Sequence, residues 1–159
     1  MERVNSLQIL REAMQIEKDG IRFYKKAVKA SKNKRVEDLF RRLAADELDH
    51  LEKLEMVYDN LAENNEWLVD KDLMEAKPRT LEAAAVFEND IAAEDDMDEL
   101  EALGRGIKAE EDSIVLYKKA LGECQTDGRG CVIFKWLLDF EKNHLKLLRD
   151  MRKEIVASD

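Results

Sequence analysis

The strongest constraint on this chain is that it repeats itself. Residues 16–27, IEKDGIRFYKKA, line up with residues 109–120, AEEDSIVLYKKA, so that Glu17 matches Glu110, Asp19 matches Asp112 and Tyr24 matches Tyr117. Residues 40–50, FRRLAADELDH, line up with residues 134–144, FKWLLDFEKNH. The offset is 93 in the first pair and 94 in the second, so the two halves differ by one residue of loop. Two copies are too few for a solenoid. Two helical hairpins folded against each other fit the pattern.

Apolar residues at three- and four-residue spacing predict four long helices. The first runs from about Ser6 to Ser31, with Leu10, Ala13, Met14, Glu17, Ile21, Tyr24 and Val28 facing inward. The second runs from about Asn33 to Ala62, with Phe40, Leu43, Ala44, Glu47, His50, Leu51, Leu54 and Tyr58 inward. The third spans about Asp98 to Gly122 and turns Leu100, Leu103, Ile107, Glu110, Ile114, Tyr117 and Leu121 inward; Gly122 reads as its stop. The fourth spans about Arg129 to Val156, with Phe134, Leu137, Leu138, Glu141, His144, Leu145 and Leu148 inward. Short links make the first and second helices antiparallel neighbours, and likewise the third and fourth. The fold class is therefore all-α, a four-helix bundle of two hairpins. It reads as one domain over residues 1–159, with repeat halves 7–62 and 98–156 and a crossover at 63–97. That crossover is long enough to return along a helix of about 40 Å. It carries Pro78, a short helix expected from Thr80 to about Asn89, and an acidic run (Glu94, Asp95, Asp96) suited to the entry of the third helix.

Composition narrows the classes. A net charge of −9 argues against a nucleic-acid surface. No apolar run approaches the roughly 20 residues needed to span a bilayer, so no membrane partner is expected. The opening MERVNSLQILREAM lacks the apolar core of a signal peptide, and a cytoplasmic location is the expectation. Cys124 and Cys131 make no disulfide framework, and their spacing is not Cys-x-x-Cys; incidental thiols are expected.

What does not belong on an apolar stripe is charge. Both histidines of the chain lie in Glu-x-x-His steps, Glu47–His50 and Glu141–His144, and lone glutamates Glu17 and Glu110 lie on the other two stripes. Residues three apart share a helix face, so each step can reach one metal ion, and two of the four carboxylates can bridge two ions. Four carboxylates balance two divalent cations, which makes the filled site neutral enough for an apolar core; empty, it crowds like charges. The expectation is a binuclear metal site of Glu17, Glu47, His50, Glu110, Glu141 and His144. An oxygen-rich set with two imidazoles suits iron or manganese, while zinc can substitute. Tyr24 and Tyr117, two turns beyond Glu17 and Glu110, are candidates to hydrogen-bond these carboxylates. Asp19, Asp112 and Glu111 lie off the stripes and read as solvated; Trp67 and Trp136 read as packing or dimer-contact residues.

These pieces, IEKDGIRFYKKA, DELDHLEKL, AEEDSIVLYKKA and FEKNHLKLL, together resemble the ferritin-like superfamily and, within it, the rubrerythrin-related di-iron proteins, over about Leu7 to Ile155. The resemblance implies a bundle with a left-handed crossover, a carboxylate-bridged pair of iron ions, and a homodimer or larger assembly. It implies an oxidoreductase that reduces hydrogen peroxide or dioxygen in oxidative stress. The rubredoxin module common in rubrerythrins is missing, so the reductant would be an external, rubredoxin-like electron donor. Rubrerythrins also tend to place a further carboxylate one turn beyond the third-helix glutamate. This chain has Ser113 there and Gly20 at the matching place in the first helix, which puts fast peroxide reduction in doubt. The alternative is ferritin-like iron binding and oxidation, iron handling without a peroxidase cycle. A third reading is a metal-free helical interaction module.

Overall fold

The computed structural model describes residues 3–68, 97–124 and 131–158. They form four helices: α1 (Arg3–Ala30), α2 (Lys34–Asn64), α3 (Glu99–Cys124) and α4 (Cys131–Ser158). α1 packs along α2 and α3 along α4; the two hairpins meet where α1 faces α3 and α2 faces α4. This is the all-α four-helix bundle expected of two hairpins.

Local chemistry sets the ends. Asn33 caps α2 by accepting from the Arg35 N–H at 2.9 Å. Asn65 ends α2 in the left-handed conformation (φ 57°) and its N–H bonds the Leu61 carbonyl at 3.0 Å, a turn that asparagine tolerates better than most residues. Asp98 caps α3, its carboxylate accepting from the Glu101 N–H at 2.7 Å. Glu99 then reaches across to the α1–α2 turn and accepts from the backbone N–H groups of Lys32 and Asn33 at 2.6 and 2.5 Å. That bond puts the start of α3 beside the start of α2. Arg35 and Glu154, paired at 2.8 Å, put the end of α4 there too. So α2 and α3 run the same way, and the connection between them has to return the length of the bundle, as its size suggested. The short helix expected at Thr80–Asn89, Pro78 and the acidic run 94–96 lie outside the described residues.

The core follows the expected stripes, with two corrections. Every inward residue expected on α4 is buried, as are Leu10, Ala13, Tyr24 and Val28 on α1; Met14, Ile21, Tyr58 and Leu121 are partly so. Leu100 is instead exposed, because the buried stripe of α3 runs through Ala102, Leu103, Gly106, Ile107 and Glu110 and Leu100 lies off its centre line. Gly122 does not stop α3, which runs on to Cys124. A Cβ at Gly122 would meet nothing within 4 Å, so the glycine costs helix propensity without any turn to require it. Cys124 is buried and disulfide-bonded, which replaces the expectation of incidental thiols. Outer faces carry spaced ion pairs such as Lys108–Asp112 at 2.8 Å and Lys135–Asp139 at 2.9 Å, solvent-screened pairs that add little to stability. No helix among the described residues is long and apolar enough to cross a membrane.

Candidate metal centre

Helical phase brings all six expected donors to one place. Glu17 from α1, Glu47 and His50 from α2, Glu110 from α3, and Glu141 and His144 from α4 are each no more than 4% exposed. Their ligating atoms form two groups, each gathered within 4.8 Å: Glu17, Glu47, His50 and Glu141; and Glu47, Glu110, Glu141 and His144. Glu47 and Glu141 belong to both groups. Glu17 and Glu110 are the outer carboxylates.

The contacts inside the cluster fit ion ligation better than hydrogen bonding. His50 Nδ1 stands 3.5 Å from Glu17, 3.5 Å from Glu47 and 3.4 Å from Glu141. His144 Nδ1 stands 3.1 Å from Glu47, 3.4 Å from Glu110 and 3.3 Å from Glu141. A ring nitrogen can donate one hydrogen bond, not three, whereas donors about 2.1 Å from a common ion lie about 3.0–3.4 Å from each other. Among the described residues, six buried side-chain atoms have no hydrogen-bond partner: Glu17 Oε2, Glu110 Oε2, both oxygens of Glu141 and both nitrogens of His50. Orphaned buried polar atoms are costly, and all six belong to residues of the two donor groups. The residues present fit a pair of divalent cations.

Without cations the cluster must share protons. Burial would raise Glu47, but contacts with His144 and His50 outweigh it and hold the carboxyl at about 2. Burial would lower His50, yet Glu141 and Glu47 carry it up to about 9. Burial, with the charges of Glu47 and Glu110, pushes Glu141 up to about 8. His144 is raised well above the ordinary imidazole range: burial opposes the shift, and Asp46, Glu110, Glu141 and Glu47 more than reverse it.

The tyrosines reach the carboxylates, each across the hairpin interface. Tyr24 donates to Glu110 Oε1 at 2.5 Å, and Tyr117 donates to Glu17 Oε1 at 2.7 Å. Burial, followed by the nearby carboxylates, raises both phenols well above their usual range, so both stay protonated donors. Gly106 makes room for this: a Cβ there would stand 3.4 Å from the Tyr24 ring and 3.3 Å from Leu148.

Two features escaped the sequence. Asp46, on α2, meets Nε2 of His144 at 3.0 Å. And Gly20 and Ser113 help line a cavity of about 270 Å³ between α1 and α3 that reaches Glu47, Glu110 and Tyr24. Asp19 and Asp112 lie on its exposed rim, as their place off the stripes suggested. Glu111 pairs with Arg149 at 3.5 Å on the outside. Trp67 packs edge-on to Phe134, and Trp136 packs edge-on to His50.

No curated protein and no solved structure matches the chain. The Rubrerythrin family model does, over residues 8–152, a span that takes in all six donors and both tyrosines; the chain belongs to the Rubrerythrin family.

Proposed function

We propose that this protein is a di-iron oxidoreductase that reduces hydrogen peroxide or dioxygen at the expense of an external electron donor. The observation that carries this reading is the pair of four-donor groups sharing Glu47 and Glu141 in a buried core. Glu17 and His50 would complete one iron position, and Glu110 and His144 the other; manganese or zinc would be substitutes. Bound iron would supply the electrons, two per peroxide, that the side chains themselves cannot. The cavity beside Gly20 and Ser113 gives a small oxidant a path to Glu47 and Glu110. Tyr24 and Tyr117 hold their protons on the outer carboxylates, which limits the charge on Glu110 and Glu17 and fixes their orientation.

A second reading, iron binding and oxidation without turnover, is favoured by one observation. Ser113 is buried and its hydroxyl bonds the Ala109 carbonyl at 3.0 Å, so neither it nor Gly20 brings a further carboxylate to the cavity. The same proposal includes a single domain, a cytoplasmic setting, a role in oxidative stress and a homodimer. Anaerobic metal analysis followed by stopped-flow mixing of the ferrous protein with peroxide and with dioxygen separates the readings. Fast oxidation by peroxide, with turnover sustained by a rubredoxin-like donor, is expected. One slow oxidation without turnover would leave iron handling in its place, and a cage-sized particle on size-exclusion chromatography would favour storage.

A further inference from the structure

The six donors repeat faithfully between the halves; the residues behind the two histidines do not. His144 turns Nδ1 to the carboxylates and Nε2 to Asp46, 3.0 Å away. Asp46 is itself steadied by Arg42, 3.9 Å from its carboxylate and one turn earlier on α2. The 94-residue offset of the repeat places Trp136 where α2 has Arg42, and Phe140 where it has Asp46. Around His50, accordingly, the polar pair is replaced by rings. Phe140 stands 4.8 Å and Trp136 5.2 Å from the imidazole, both edge-on, and the two rings pack on each other at 4.7 Å. Nε2 of His50 is buried with no hydrogen-bond partner.

We infer that the two metal positions are unequal, the Glu110–His144 position binding its cation more tightly than the Glu17–His50 position, with Asp46 as the positioning residue that makes the difference. This rests on the metal-centre reading above. To ligate through Nδ1, an imidazole must carry its proton on Nε2. Asp46 accepts that N–H from His144, which fixes both the tautomer and the ring. His50 would have to keep a buried N–H with no hydrogen-bond partner beside the Phe140 and Trp136 rings, an unmatched donor that opposes the same tautomer. Loss of such a supporting partner typically lowers metal affinity 10–100-fold, which sets the expected ratio between the two positions.

The test is anaerobic titration of the metal-free protein with cobalt(II), followed by calorimetry and by the visible absorption of the bound ion. Two steps about 10–100-fold apart are expected. His50→Ala should remove the weaker step and His144→Ala the tighter. Asp46→Ala should bring the tighter step down to the weaker, while Asp46→Asn, which keeps an acceptor for Nε2–H, should restore most of the gap. Phe140→Asp should raise the weaker step. Asp46 is only partly buried, and circular dichroism checks that each variant folds. Two cobalt ions bound with one affinity, or a gap untouched by Asp46→Ala, would overturn the inequality and leave the metal centre standing. No cobalt bound at all would overturn both.

Discussion

The tyrosine–glutamate bonds offer a direct measure of how dry and how charged the cluster is. Tyr117 is fully buried, and its hydroxyl is the partner of Glu17 Oε1 at 2.7 Å; the other oxygen of Glu17 has no hydrogen-bond partner. Tyr117→Phe removes one oxygen atom and changes little else in the packing. It strips Glu17 of its remaining hydrogen-bond donor. A buried hydrogen bond to a charged group contributes about 1.5–3 kcal/mol, and the oxygen left bare pushes the loss toward the upper half of that range. For a chain of this size each kcal/mol moves Tm by about 2–4 °C. The metal-free variant should therefore melt about 5–10 °C below the parent by differential scanning calorimetry. In the cation-loaded protein the loss should shrink, because an ion then neutralises Glu17. Tyr58→Phe is the control. The Tyr58 hydroxyl accepts from Arg11 at 2.9 Å on the exposed side of the bundle, where water replaces it, and a change within about 0.5 kcal/mol is expected. If Tyr117→Phe and Tyr58→Phe melt alike, Glu17 has solvent access and its surroundings are not dry.

Three further outcomes follow from the same geometry. In the metal-free protein, His50 at about 9 and Glu141 at about 8 both bind protons more tightly than in the unfolded chain, so their contribution to stability fades as pH rises through those values; Glu47 at about 2 contributes above 4.5 and is lost only as pH falls toward 2. Cations displace those protons, so the Tm gain on adding manganese(II) should grow from pH 6 to pH 9, and a gain flat across that range would contradict the shared-proton picture. The Glu47→Ala, Glu141→Ala double variant removes both shared carboxylates and should abolish that gain altogether, whereas Glu17→Ala should still bind one ion by metal analysis. Gly104 lies inside α3 with no atom within 4 Å of where a Cβ would stand, so Gly104→Ala should add roughly 0.5–1 kcal/mol in denaturant unfolding without altering metal content.

Much of this was legible in the sequence for a simple reason. Helical period and an internal repeat each report which residues share a face, and Glu17, Glu47, His50, Glu110, Glu141 and His144 violate the apolar rule at the same phase on four helices. What periodicity carries only loosely is how wide the buried stripe is, and Leu100 lies at its margin, exposed while Ala102 and Leu103 are buried. Gly122 was misread because a glycine near a helix end signals a stop only when the backbone takes a left-handed turn; here the helical path continues to the buried Cys124. Contacts across the hairpin interface were invisible for a different reason. That Tyr24 serves Glu110 and Tyr117 serves Glu17, rather than each serving its own helix, depends on how α1 and α3 face each other. The contact of Asp46 with His144 depends likewise on α2 and α4. Its only trace in the sequence is a mismatch, Asp46 against Phe140 at equivalent places in the repeat.

That mismatch bears on why a duplicated scaffold keeps some positions alike and lets others part. The donor set answers to charge balance: two cations in an apolar core need four carboxylates, and losing any one leaves an unpaired charge that the core cannot solvate. The residues behind the histidines answer to no such sum. Arg42 and Asp46 bring their own neutralising pair, while Trp136 and Phe140 bring none and need none, so either arrangement is compatible with a neutral filled site. The two arrangements differ in what they do to an imidazole: one offers its Nε2 a hydrogen-bond partner, the other packs rings on it and offers none. On the aromatic side Lys53 lies 4.6 Å above the Trp136 ring and pairs with Asp49 at 2.6 Å. On the inference drawn above, a bundle built from two such hairpins would acquire a firm metal position and a looser one without any change to its ligands.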